Sequence, residues 1–81
     1  MAQTLDDRQK VSRDLEDIHN SAGALIEKVA RAQMELEGSD DDVAESLGGL
    51  LSSLSQTAET VQSLRSDFDM ETARRQNEGE L

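Results

Sequence analysis

The stretch MELEGSDDDVAESL, Met34 to Leu47, sets a Gly-Ser step between two long segments of helical spacing. Read as a turn, it folds the chain back on itself; read as a blemish, it leaves one straight rod. Upstream, the apolar or small residues are Val11, Leu15, Ile18, Ala22, Leu25, Val29, Ala32 and Leu36, spaced alternately by 4 and 3. Downstream, Val43, Leu47, Leu50, Leu54, Thr57, Val61, Leu64 and Phe68 repeat the same spacing. Each set is the narrow apolar seam of a helix that packs lengthwise on another helix.

The two seams are out of phase. Leu36 and Val43 are seven apart, and Val43 and Leu47 are four apart, so one continuous helix needs a stutter here. A reversal removes the difficulty. It pairs Leu36 with Val43, Ala32 with Leu47, Val29 with Leu50, Leu25 with Leu54, Ala22 with Thr57, Ile18 with Val61, Leu15 with Leu64 and Val11 with Phe68. One layer further out, Arg8 meets Glu71 as an opposite-charge pair. Only residues 37–42 then lie between the members of the first layer, a short connection suited to antiparallel neighbours.

The turn chemistry agrees with a reversal. Gly38 suits the left-handed conformation that ends helices. Ser39 suits an N-cap, and with Asp42 it resembles a capping box. Asp40, Asp41 and Asp42 follow where the helix dipole favours anions. Thr4 with Asp6 and Asp7 marks the start of the first helix. The spacing predicts an all-α, antiparallel, coiled-coil-like hairpin: a flexible N-terminus over 1–4, helix 1 over about 5–37, a turn at 38–39, helix 2 over about 40–75 and a fraying tail over 76–81. Gly48 and Gly49 each weaken a helix by roughly 1 kcal/mol relative to alanine. Leu47 nevertheless keeps the phase across them, so helix 2 is expected to run through.

Two helices bury little against a large cost in conformational entropy, so more helices are expected to join them. With Leu15 at heptad position a, Ile26, Ala44, Leu51 and Ala58 fall at e, and Ala30 and Gly48 at b. These six residues form the candidate partner or oligomer interface. The expected product is a four-helix bundle, made by dimerisation or with a partner hairpin.

Composition limits the chemistry. There is no cysteine, proline, tryptophan or tyrosine, and one phenylalanine. This argues against disulfides, cysteine metal sites, aromatic ligand pockets and base stacking. His19 has no second histidine to work with and reads as a rim residue. The aspartates at 40–42 lack the alternation and glycine of a calcium loop. No serine stands in a nucleophile motif, and "LGGLL" lacks the spacing and lysine of a phosphate loop. No catalytic, cofactor-binding or metal residue is expected, and no enzymatic activity. A formal charge of −10 repels nucleic acid and anionic lipid. No apolar run spans a membrane, and the opening MAQTLDDRQK is unlike a secretory signal, so the cytoplasm is the expected location.

Three functions fit these limits. The first is a helical protein–protein interaction module: a small adaptor, chaperone, assembly subunit or inhibitor that packs its hairpin on other helices, its partner a protein or a second copy in a homodimer. The second is an acidic, nucleic-acid-mimicking inhibitor of a DNA- or RNA-binding protein, of the kind found among phage-encoded inhibitors. The third is a secretion-apparatus or filament subunit. In size and expected topology the chain resembles type III secretion needle subunits and the tryptophan-glycine secreted hairpins, but it has neither the proline-bearing turn of the former nor the Trp-x-Gly turn of the latter.

Overall fold

A computed structural model describes residues 4–81, and the first three residues of the expected flexible N-terminus lie outside it. Thr4 opens the first helix through a capping box: its hydroxyl accepts from the Asp7 backbone N–H at 3.1 Å, and the Asp7 carboxylate accepts from the Thr4 N–H at 3.1 Å. Two orphan donors are satisfied reciprocally. Helix α1 then runs Leu5–Leu36 and α2 runs Asp41–Asn77. They lie antiparallel as an extended hairpin of 60 × 18 × 15 Å, with no strand among the described residues.

The reversal sits at Gly38, whose φ of +84° is the left-handed conformation that glycine adopts freely. Two backbone N–H groups, Ser39 and Asp40, donate to the Leu36 carbonyl at 3.1 and 2.9 Å and close the end of α1. The cap of α2 falls one residue later than the sequence suggested. Asp40, not Ser39, accepts from the Val43 N–H, and the Ser39 hydroxyl instead donates back to the Leu36 carbonyl. Asp41 accepts from the Gly38 N–H at 2.8 Å, so the acidic run holds the turn from its far side. Helix α2 is continuous through Gly48 and Gly49. Within the tail expected to be flexible, Gly79 is also left-handed, and the Glu80 N–H donates to the Arg75 carbonyl at 2.8 Å.

The helices meet on a different pair of columns from those expected. Residues at heptad position a, Leu15, Ala22, Val29 and Leu36 on α1 and Leu47, Leu54, Val61 and Phe68 on α2, are buried or half-buried. The second column, however, is e and not d. On α1 it consists of Ser12, His19, Ile26 and Gln33, and on α2 of Ala44, Leu51, Ala58 and Arg65, all buried or half-buried. Arg8 bonds to Thr72 at 2.7 Å, Arg65 bonds to Ser12 at 3.2 Å, and Leu15, His19, Val61 and Arg65 line one cleft, so the numbers of facing residues sum to about 80. Ser12 then stands opposite Phe68, Leu15 opposite Arg65, His19 opposite Val61, Ala22 opposite Ala58, Ile26 opposite Leu54, Val29 opposite Leu51, and Leu36 opposite Ala44. The expected layers of Leu36 with Val43, Leu25 with Leu54 and Ala22 with Thr57 are each displaced by one position. The reason is steric. Ala22, Ala44 and Ala58 are small enough to let the helices approach, and the Gln33 side chain reaches across to Gly48, where an added Cβ would stand 2.8 Å from its amide nitrogen.

A hairpin closed in this way has almost no core. Among the described residues the buried apolar side chains are Ala22, Ala44 and Val61. The radius of gyration is 18.1 Å, against about 12 Å for a compact domain of this length.

The glycines give a direct test. Gly38→Ala forces a side chain into the left-handed region and should lower stability by about 1 kcal/mol. Gly49 is helical with nothing near its Cβ position, so Gly49→Ala should raise stability by about 1 kcal/mol. Thermal unfolding followed by circular dichroism reads both, and equal effects of the two would contradict this turn.

Candidate functional site

Columns d, a and e lie side by side on each helix, and the hairpin contact takes a and e, although e on α1 is polar from Ser12 to Gln33 apart from Ile26. The third is d. Its large members Ile18, Leu25, Val43, Leu50 and Leu64 were expected inside the seam but are 44–54% exposed. Val11 is half-buried at the margin, and Thr57 is exposed. In an antiparallel pair the d columns of both helices fall on the same side. The exposed residues therefore form a single apolar face, floored by the a-position residues between the helices.

The opposite side has another character. Its central positions are Gln9, Glu16, Gly23, Ala30, Gly48, Ser55, Gln62 and Asp69, which are small or polar. The candidate interface residues Ile26, Ala44, Leu51 and Ala58 have turned inward to become the seam, while Ala30 and Gly48 are half-buried at its rim. The apolar surface lies across the hairpin from where the sequence placed it. The signal that would have found the true seam is a second alternation of 4 and 3 through Arg8, Ser12, Leu15, His19, Ala22, Ile26, Val29, Gln33 and Leu36. Its polar members hid it.

Those polar members are satisfied by specific partners. Arg8 is 3% exposed. Its guanidinium stacks on the Phe68 ring at 4.0 Å, its Nε donates to Thr72 Oγ1 at 2.7 Å, and an Nη donates to the Phe68 carbonyl at 3.3 Å. Arg65 reaches across to α1, donating to Ser12 Oγ at 3.2 Å and pairing with Glu16 at 3.2 Å. These contacts clamp the open end of the hairpin, where apolar seam residues run out. Arg8 does not meet Glu71 as expected: Glu71 is held on its own helix by Arg74 and Arg75, at 2.9 and 3.0 Å. Hydrogen bonds from Arg74 and then Arg75 hold the Glu71 carboxyl down to about 2. Arg74, bonded to Glu71 and Glu78, is raised further above its ordinary range. Asp7 is lowered by its bonds from the Thr4 backbone and hydroxyl.

The clefts carry no reactive constellation. His19 lines a cleft of about 170 Å³ with Leu15, Glu16, Val61 and Arg65 between the helices. A wider groove of about 470 Å³ at the open end is lined by Arg8, Gln9, Ser12, Asp69 and Thr72. Among the described residues no group of acids and histidine is placed to hold a metal ion, and no helix is long and apolar enough to cross a membrane. The site with the most to offer chemically is thus the apolar face.

Two measurements test the polar clamp. Arg8→Met keeps an aliphatic stem on Phe68 but loses the charge and its hydrogen bonds, and should lower stability by about 1–3 kcal/mol in chemical unfolding. Glu71 should titrate last among the glutamates in a carboxyl-carbon NMR titration. Because its folded pKa is depressed, its contribution is present above its unfolded value of 4.5 and is lost as pH falls towards about 2. A Glu71 midpoint near 4.5 would contradict the pairing. Compared with known proteins, the chain matches no family model, no curated protein and no solved structure.

Proposed function

We propose that the chain is a non-enzymatic, helical protein–protein interaction module, a small adaptor, chaperone, assembly subunit or inhibitor, and that it packs its d-column face on other helices to complete a four-helix bundle. One observation carries this reading: five large apolar side chains stand about half-exposed on one side of a hairpin that has almost no core of its own. A helix that meets two neighbours needs an apolar arc of about 100° or more, and on α2 columns d, a and e span such an arc from Val43 to Phe68, broken by Thr57 and Arg65. The a and e columns serve the hairpin, which leaves d and the adjoining a residues for the second layer. Contiguous apolar surface of this kind on a small chain marks a protein contact.

The distribution of charge weakens the reading as a nucleic-acid mimic. The middle of the rod, residues 18–30 with 48–62, has two acids and one base. Duplex DNA carries a negative charge about every 1.7 Å along its whole axis. A rod nearly neutral over its central third lacks the continuous acidic row that a basic nucleic-acid groove would engage.

Leu50→Glu places a charge on the proposed face, and Ser55→Glu places the same charge on the opposite side. Sedimentation and concentration-dependent thermal unfolding compare the two. The wild-type chain should assemble and melt at a temperature that rises with concentration. Leu50→Glu should abolish both behaviours, and Ser55→Glu should leave them within about 0.5 kcal/mol of wild type. A wild-type chain that is a folded monomer at every concentration, with a constant melting temperature, and that binds no helical partner overturns the proposal.

A further inference from the structure

We infer that Asp40 gates a hinge at the turn: its charge keeps the chain folded back, and without it the chain opens into one helix, Leu5 to Asn77, that pairs antiparallel with a second copy through the seam the hairpin already uses.

The turn falls where a straight helix would keep the seam in phase. Leu36 and Leu47 of column a are eleven residues apart, and so are Gln33 and Ala44 of column e. Eleven residues make three turns at about 3.67 residues per turn, close to an ordinary α-helix. A chain helical through residues 37–40 would therefore carry both columns on one face from end to end. The numbers of facing residues in the hairpin sum to about 80. Two straight copies running antiparallel about residue 40 meet in the same sum. The seam contacts then recur between chains, including Arg8 with Thr72 and Phe68, and Arg65 with Ser12 and Glu16. Such an exchange of identical elements costs little where the contacts are the same, and no proline interrupts the helix.

Asp40 decides between the two forms. In the hairpin it is exposed and caps α2, accepting from the Val43 N–H. In the straight helix it stands four residues after Leu36 and four before Ala44, midway between columns a and e. The two-fold axis then sets it against Asp40 of the second copy. Two carboxylates enclosed in an apolar seam without a cation are strongly disfavoured. Asp41 and Asp42 lie about 100° and 200° further round the straight helix, off the seam. The surroundings add to the barrier: residues 31–47 of two copies gather twelve acids and two bases, double the six and one of a single turn. The closed form has a further advantage, since a short connection presents α2 to α1 at an effective concentration on the order of 1 mM.

X-ray scattering separates the forms by length: the hairpin measures 60 Å, and a helix over residues 5–77 about 110 Å at about 1.5 Å per residue. Cysteine linkage separates them by partner. His19 and Gln62 line one cleft, and the chain has no cysteine of its own. His19→Cys and Gln62→Cys on separate chains link only where two copies build one seam, because hairpins packed through their d columns keep these positions on the far side. Asp40→Leu puts a leucine at the centre of the straight seam. It should lengthen the particle to about 110 Å and raise the mixed link roughly tenfold over the wild-type turn as the protein nears ~1 mM. Asp40→Asn keeps a capping side chain but no charge, and should act in the same direction to a smaller extent. Asp42→Leu removes the same charge off the seam and should remain a 60 Å hairpin without the mixed link. The inference is overturned by an Asp40→Leu chain that stays at hairpin length with no mixed link, by an Asp40→Asn chain that behaves as wild type, or by an Asp42→Leu chain that opens as readily. The d-column reading stands under each of these results, because it does not depend on the turn.

Discussion

A helix meets a single neighbour through about two columns of its surface, and the hairpin takes columns a and e while the aliphatic residues of column d stay outside. That division governs the molecule. The approach allowed by Ala22, Ala44 and Ala58, with Gly48 receiving the Gln33 side chain, commits columns a and e to the hairpin. Column d, with larger aliphatic side chains, is left outside. Among the described residues the hairpin buries Ala22, Ala44 and Val61 and leaves Ile18, Leu25, Val43, Leu50 and Leu64 about half-exposed, unlike a self-sufficient domain.

The reversal and the helix ends were legible in the sequence because local chemistry specifies them. Gly38 stands where a left-handed residue is needed, and Thr4 stands three residues before Asp7, where a reciprocal cap can form. The seam was only half legible. Column a was found, since Leu15, Val29, Leu47 and Leu54 are apolar under any reading. The choice between d and e was not, since both give an alternation of 4 and 3 with column a. Side-chain volume decides it in space: two alanines opposite each other bring helices nearer than Leu25 against Leu54 would. Hydropathy ranks leucine above alanine and so points to the wrong column. The partner face was misplaced for the same reason, because whichever column is not in the seam becomes the face.

The polar ends of the seam show what holds a hairpin once apolar residues are lacking. Arg8 brings a long aliphatic stem, a flat cation for the Phe68 ring and donors for Thr72 and the Phe68 carbonyl. A leucine there would bury a similar area but leave that carbonyl and hydroxyl to water. No buried side-chain nitrogen or oxygen among the described residues lacks a partner, so the polar layers specify the register at little cost. Register matters beyond the hairpin, since a shift of one residue on α2 would break the single apolar face into two separate edges.

Charge then limits the direction in which such rods associate. The turn end, residues 31–47, has six acids and one base, and the open end, residues 4–17 with 63–81, has ten acids and six bases. Both ends are net negative, and the middle is nearly neutral. End-to-end growth would bring one acidic tip to another, whether turn to turn, turn to open end or open end to open end. Face-to-face contact meets its lowest charge density at the centre of the rod, where Ile18, Leu25 and Leu50 are exposed. On the proposed reading it would also close after one step, because the described residues form one apolar face. If the d-column face packs on other helices as proposed, the electrostatics favour a closed bundle of few chains over the filament that the length and topology of the hairpin would otherwise suggest.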